Sequence, residues 1–191
     1  MRLFSALYAR VMVWAAHRHA PWYLGSLSFA ESSFFPIPPD VMLAPMSLAR
    51  PERAWFYAAL TTATSVLGGL FGYLIGMLAI EAVQPLIVEA GYGARYAQAI
   101  EWFAVWGFWV VFIAGFSPIP YKLFTIAAGA SAMALLPFTL ASLVGRGARF
   151  FLVSGLMRWG GAPMEKLLRT YVDRLGWLVI VLVTAYLLFA S

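Results

Sequence analysis

The stretch Glu31-Ser-Ser-Phe-Phe-Pro-Ile-Pro-Pro-Asp40 separates two apolar segments, Pro21–Ala30 and Val41–Ala49. Each segment has about ten residues, half of what a membrane-spanning helix needs. The stretch between them excludes a continuous helix because it contains Pro36, Pro38 and Pro39. Irregular backbone at bilayer depth survives only where protein or a wet cavity covers it. We therefore predict a re-entrant hairpin: a half-helix through residues 21–34, a proline turn, and a half-helix that returns through Ala49.

A similar interruption divides a second apolar run, Trp102–Gly145, which is too long for one crossing and has Lys122 as its only charge. The interruption reads Phe116-Ser-Pro-Ile-Pro-Tyr-Lys122. When the two Pro-Ile-Pro triplets are superimposed, Asp40 aligns with Lys122 and the flanking apolar segments align as well. A broken helix repeated in two halves is typical of transporters whose site lies near the midplane. We predict a second re-entrant hairpin, whose turn contains Pro118 and Pro120.

The composition places the chain among membrane proteins. Hydrophobic residues make up 63% of the 191 positions and charged residues 11%, against about 25% charged in soluble domains. A soluble enzyme, a disordered chain and a disulfide-stapled domain are excluded. The lack of cysteine excludes thiol redox chemistry, thiolate nucleophiles and zinc–thiolate sites. On so apolar a chain, the net charge of +5 indicates contact with anionic lipid rather than nucleic acid.

The predicted fold class is an all-α integral membrane protein: an inverted repeat of two re-entrant hairpins, about three transmembrane helices and an N-terminal amphipathic helix. One crossing, Trp55–Ile80, separates the hairpins, so they enter from opposite faces. Arg10 interrupts the apolar N-terminal stretch, which argues against a cleavable signal peptide. The single membrane domain is divided into an amphipathic surface helix (1–20), a first repeat (21–80), an interfacial segment (81–101), a second repeat (102–158), and a basic loop with the last transmembrane helix (159–191).

The sidedness of the chain follows from the charges between its spans. The segment 81–101 has a net charge of −2, from three glutamates and one arginine, whereas the other flanks are basic. The positive-inside rule places the basic flanks, and with them the N-terminus, in the cytoplasm. The C-terminus is then expected on the outer side.

Five ionisable side chains fall inside the predicted spans and turns, where each costs about 2.5–3.5 kcal/mol on the insertion scale. They are Glu31, Asp40, Lys122, Arg146 and Arg149. Arg146 and Arg149 are three residues apart and share a helical face, so both can bind the same anion. With three cations against two anions, one positive charge remains for a phosphate headgroup.

A structural interpretation competes with this one. Glu31 and Asp40 would cap the half-helices or pair with Arg146 and Arg149 in a satisfied network, and Arg149 and Lys122 would otherwise reach toward headgroups. The glycines of the first crossing are predicted to allow close helix packing; they are Gly68, Gly72 and Gly76. The sequence has no nucleophile elbow and no phosphate-cradling loop, so no enzyme, metal site or cofactor is predicted.

The chain resembles the DedA superfamily, which carries the VTT or SNARE-associated domain, and its YqaA-like bacterial branch, in the strings ESSFFPIPPDVMLAPM, LARPERAW, GFSPIPYKLFTIAAG and GRGARFF. The resemblance covers residues 21–159 and implies opposed re-entrant hairpins in a bacterial inner membrane. It implies movement of phospholipid or undecaprenyl phosphate between leaflets, with functional acids that Glu31 and Asp40 match in kind. Many relatives have arginine where this chain has Phe116 and Lys122, and lysine is a weaker bidentate phosphate ligand.

The sequence therefore predicts a flippase- or scramblase-like transporter of a phosphate-bearing lipid. Lys122, Arg146 and Arg149 would hold the headgroup, and Glu31 and Asp40 would be gating or proton-coupling acids. Two alternatives stay open: a small proton- or cation-coupled transporter, and a non-transporting scaffold for membrane assembly. The expected partners are membrane lipids and protons, nucleic acid is not among them, and the sequence leaves homo-oligomerisation open.

Overall fold

The computed structural model describes residues 17–35, 37–91, 93–117 and 121–160, together with Pro163. Within these ranges the regular structure is helical and contains no strand. Several predicted features lie outside the described residues. They are most of the N-terminal amphipathic helix (1–16), Pro36, Pro118 and Pro120 of the two turns, and nearly all of the basic loop and last transmembrane helix (159–191).

Six α-helices account for most of the described chain, and we number them in order. They are α1 (Ala20–Ser33), α2 (Asp40–Ala49), α3 (Ala54–Glu89), α4 (Gly93–Phe116), α5 (Lys122–Ala130) and α6 (Leu135–Gly160), with a 3₁₀ turn at Pro51–Arg53 before α3. Three of them are long and apolar enough to cross a membrane: α3, α4 and α6. This confirms an all-helical chain of membrane-protein character. By contrast, α1, α2 and α5 have 14, 10 and 9 residues and are too short to cross.

Helix α1 runs parallel to the first half of α3, held by a row of buried serines. Ser28 Oγ donates to the carbonyl oxygen of Thr61 at 2.8 Å, and the Ser32 and Ser65 hydroxyls lie 2.7 Å apart. Both contacts join residues 33 positions apart, which fixes the register of the two helices. Because each serine finds a partner, these hydroxyls can be buried among apolar side chains without a large desolvation cost.

Helix α5 continues along the second half of α3, so that α1 and α5 follow one another along the same long helix. Thr125 Oγ1 donates to the carbonyl oxygen of Ser32 at 3.1 Å, which joins the end of α1 to the first turn of α5. Further on, Gly129 of α5 packs against the backbone of Tyr73. The ends of these two short helices therefore meet near the middle of α3.

The glycine stripe of α3 is the reason that both helices come so close. A Cβ on Gly68 would overlap the carbonyl oxygen of Phe29 in α1, and a Cβ on Gly76 would overlap that of Ile126 in α5. Gly72, between them, faces Thr125. The prediction that these glycines allow close packing is confirmed, and they receive two successive helices.

Helix α6 is antiparallel to α3 and parallel to α2 and the end of α4. The Trp55 ring at the start of α3 stacks on Phe151 with centroids 5.8 Å apart. Ser47 Oγ of α2 donates to Ser154 Oγ at 3.1 Å. A Cβ on Gly145 would lie 2.5 Å from the carbonyl oxygen of Phe112, so α4 and α6 also pack backbone against backbone. The packing uses the same small-residue contacts that membrane helices favour.

The buried apolar residues form two clusters with a polar layer between them. The first cluster lies where α1 and α3 begin and consists of Ala20, Leu24, Leu43, Met46, Tyr57, Ala58 and Phe150. The second lies farther along α3 and consists of Val111, Ala114, Tyr121, Ala128, Met133, Phe138 and Ala141. The layer between them contains buried Glu31, Ser32, Ser65 and Arg146. This layer is where the predicted site residues come together.

The segment 81–101, predicted as interfacial, is largely helical. Helix α3 continues past Ile80 to Glu89 and includes Pro85. A proline removes one intrahelical donor, but this turn is exposed, so the carbonyl that loses its partner is open to other donors. The helix ends where Gly91 adopts a φ of 80°, a conformation that glycine takes readily.

Candidate functional site

The five ionisable residues singled out in the sequence gather where α1, α2 and α5 meet α6. Glu31 lies near the end of α1, Asp40 begins α2 and Lys122 begins α5. Arg146 and Arg149 lie on α6 and face the ends of these short helices. The structure brings each acid to one arginine, Glu31 to Arg146 and Asp40 to Arg149. These are the pairs that the structural interpretation of the sequence allowed.

Arg146 is the centre of the buried part of this cluster. Its Nη2 pairs with Glu31 Oε2, and its Nε donates to Ser65 Oγ at 2.7 Å. The guanidinium carbon lies 4.9 Å from the ring centroid of Tyr121 and 4.6 Å from that of Phe150. A guanidinium between two aromatic rings gains cation–π attraction that increases as water is excluded. The guanidinium of Arg146 is therefore held by an ion pair, a hydrogen bond and two aromatic rings.

Two serines extend the ion pair into a network. Ser32 Oγ lies 3.2 Å from Glu31 Oε2 and 2.7 Å from the Ser65 hydroxyl, which in turn accepts from Arg146. The network joins α1, α3 and α6 at one level. Sequence reasoning missed both serines, because the sequence around a small polar residue in an apolar helix does not indicate which residue it will contact.

Tyr121 was also missed. Its hydroxyl lies 2.5 Å from Ser142 Oγ, and Ser142 donates to the carbonyl oxygen of Phe138 at 2.7 Å. These bonds fix a fully buried ring against Arg146. The position of Tyr121 directly after the second proline motif is the one sequence feature that could have drawn attention to it.

The outer ion pair, Arg149–Asp40, is partly exposed. Arg149 Nη2 donates to Asp40 Oδ2 at 2.7 Å, and the two side chains are 16% and 21% exposed. Arg149 Nη1 also lies 3.4 Å from the carbonyl oxygen of Phe116, the last residue of α4. Asp40 Oδ1 and Arg149 Nε have no hydrogen-bond partner among the described residues. The outer pair therefore has one acceptor and one donor left for a further ligand. The inner pair has no such unpartnered buried atom.

Lys122 supplies the remaining cation. Its Nζ donates to the carbonyl oxygen of Phe34 at 3.2 Å, at the end of α1. No carboxylate in the described part of the chain pairs with it. Three cationic and two anionic side chains therefore leave the cluster with a charge of +1 when all are ionised. An anion at the half-buried ammonium and the outer pair would neutralise it.

Known proteins resemble this chain in sequence. The family model of the VTT domain matches residues 37–159. An uncharacterized protein of Haemophilus influenzae is 48% identical over 187 residues, which cover 97% of each chain. An uncharacterized homolog from Histophilus somni is 46% identical over 188 residues, 98% of each chain. No solved structure matches the chain.

The family match includes nearly every element that builds the cluster. It extends from the first proline turn through Asp40 and Lys122 to the end of α6, and only α1 with Glu31 precedes it. The two relatives match over almost the whole length, α1 included. The chain belongs to the VTT-domain, or DedA, family, whose members are commonly linked to membrane transport.

Proposed function

We propose that this protein moves a phosphate-bearing, anionic lipid, a phospholipid or undecaprenyl phosphate, between the leaflets of the bacterial inner membrane. One observation carries the proposal: a cluster with an excess cation lies where short helix ends meet, halfway along a helix long enough to cross the membrane. Charges at that depth are costly, and those that occur there commonly mark a transport pathway. The transport class is also that of the family.

Two re-entrant hairpins in an inverted repeat account best for the short helices. Ser28 meets Thr61 and Ser32 meets Ser65 with a spacing of 33 residues between α1 and α3. Phe116 meets Arg149 with the same spacing of 33 between α4 and α6. The chain can thus be divided into two similar units, α1–α3 and α4–α6. Because α3 and α6 are antiparallel, the two units run in opposite directions, as an inverted repeat requires.

The second arms of the proposed hairpins support the same symmetry. Helix α2 of the first unit packs parallel to α6 of the second through Ser47 and Ser154. Helix α5 of the second unit packs parallel to α3 of the first through Gly76 and Gly129. The second arm of each proposed hairpin thus packs against the long helix of the other unit. The tips of the two hairpins meet at the charged cluster.

The charges at the two ends of the long helices favour a cytoplasmic N-terminus. Arg18, Arg53 and Arg158 lie at the end where α1 and α3 begin and α6 finishes. Glu89 closes α3 at the opposite end. The positive-inside rule assigns the basic end to the cytoplasm.

In the proposed mechanism, the headgroup first meets Lys122 and Arg149, which are the partly exposed cations of the cluster. The phosphate competes with Asp40 for Arg149 and gains a charge-assisted bond from Lys122. Arg146 is enclosed by Glu31, Ser65 and two rings, so it contacts the headgroup only after Glu31 dissociates. Glu31 and Asp40 are therefore the gates, and the acyl chains stay in the bilayer.

The test is lipid movement in reconstituted liposomes, with headgroup-labelled phospholipid and polyprenyl phosphate as probes. Lys122→Ala is expected to lower the rate of movement about tenfold, the effect of losing one charge-assisted bond in the limiting step. The fold should be unchanged because the ammonium makes one exposed contact with a carbonyl oxygen. Lys166→Ala, which removes the other lysine of the chain, is the matched control. Wild-type rates in Lys122→Ala would contradict the assignment.

A proton-coupled transporter is the second candidate, and burial of the Glu31 carboxylate favours it. A pH-sensitive dye inside the same liposomes separates the two. Movement of labelled lipid without proton flux supports the first proposal, and proton flux without lipid movement supports the second. A scaffold with a purely structural network would give neither.

A further inference from the structure

Outside the charged cluster, the surface has a groove between α1 and the first half of α3. It has a volume of about 320 Å³ and is lined by Pro21, Trp22, Gly25, Ser26 and Phe29 of α1 and by Leu60 and Thr64 of α3. The α1 residues extend from Pro21 to Phe29, eight residue steps or about 12 Å along a helix. Thr64 Oγ1 donates to the carbonyl oxygen of Leu60, so it offers the groove no free donor. The walls are suited to a slender apolar chain.

Basic residues lie at one end of this groove. Arg18 stands three residues before Pro21, and Arg53 stands seven residues before Leu60, in the 3₁₀ turn that leads into α3. Contacting residues of α1 and α3 are 33 positions apart, so the two arginines lie at nearly the same height along the helix axes. Both are exposed, as are His17 and His19 beside them.

We propose that the groove holds one acyl chain of an anionic glycerophospholipid, with the lipid phosphate between Arg18 and Arg53. The inference rests on the chain lying in a membrane and not on lipid transport. Basic side chains at the headgroup level attract anionic lipid. An apolar groove beside them can bind an acyl chain of the same lipid. A second copy in the same orientation would bring its own basic end against this one, which disfavours a protein occupant.

Native mass spectrometry of the detergent-solubilised full chain, titrated with phosphatidylglycerol or phosphatidylcholine, tests the site. Wild type is expected to retain phosphatidylglycerol in preference to phosphatidylcholine. Arg18→Gln and Arg53→Gln should each reduce that retention about fivefold. Ser26→Phe, at an exposed position of the groove wall, should reduce it about tenfold by displacing part of the chain. Ala79→Leu, on an exposed part of α3 away from the groove, is the matched control and should retain lipid as wild type does.

Three outcomes would overturn the inference. The first is equal retention of both lipids by wild type. The second is loss of lipid in the arginine variants with full retention in Ser26→Phe, because the phosphate would then bind without a chain in the groove. The third is a wild-type dimer that Ser26→Phe converts to a monomer, which would make a second copy the occupant. Lipid movement in liposomes is a separate readout, so failure here leaves the proposed transport function untouched.

Discussion

Arg146→Leu is expected to lower the free energy of unfolding by about 3–5 kcal/mol, the usual cost of removing one partner from a buried ion pair. The side chains of Arg146 and Glu31 are only 3% and 7% exposed. Leucine would leave the Glu31 carboxylate without its cation and Ser65 without the donor at 2.7 Å. It would also remove the guanidinium from between two aromatic rings. Most of this loss of stability comes from the Glu31 carboxylate, which stays buried without a cation.

The measurement is denaturant unfolding in detergent micelles, followed by tryptophan fluorescence. Arg149→Leu is the matched comparison, and its effect should be smaller than that of Arg146→Leu because its ion pair is more exposed. The double variant Glu31→Gln/Arg146→Leu should recover much of the loss, since no buried charge is left unpaired. An Arg146→Leu protein within about 1 kcal/mol of wild type would contradict the prediction.

The contrast between the two arginines also shows what the sequence could and could not predict. Their spacing of three residues and their position inside an apolar run identified both as unusual, and both belong to the cluster. Their different environments could not be predicted. Arg146 finds Glu31 at a separation of 115 residues and Ser65 at 81, and only the packing of three helices decides such partners.

Helix boundaries show a similar division. The cluster of Pro36, Pro38 and Pro39 predicted the break before Asp40, because it removes three donors within four residues and disfavours helical backbone before each proline, and α2 begins at Asp40. The end of the first crossing was placed at Ile80, where apolar residues give way to Glu81. The helix continues to Glu89 because one charged residue does not stop a helix, whereas the conformation of Gly91 does. Hydropathy reports where a span leaves the apolar phase, not where the helix stops.

Gly129→Ala is expected to destabilise the protein by about 3 kcal/mol, the upper part of the usual range for overpacking. A Cβ at this position of α5 would overlap the carbonyl oxygen of Tyr73 in α3. A backbone atom cannot turn aside as a flexible side chain can, so α5 would have to move away from α3. Since α5 begins with Lys122, that movement would also displace the cation of the candidate site. Lipid movement should therefore fall together with stability.

Gly147→Ala is the matched control because it is the same substitution inside another helix, α6. The nearest atom to its new Cβ is Thr62 Cγ2 at 3.6 Å, an ordinary contact distance. Alanine is a better helix former than glycine by about 1 kcal/mol, so this variant should be as stable as wild type or more stable. Thermal unfolding in the same detergent compares the two. If Gly129→Ala unfolded at the same temperature as Gly147→Ala, α5 would not be packed backbone against backbone on α3, and the meeting of helix ends at the charged cluster would lose its main support.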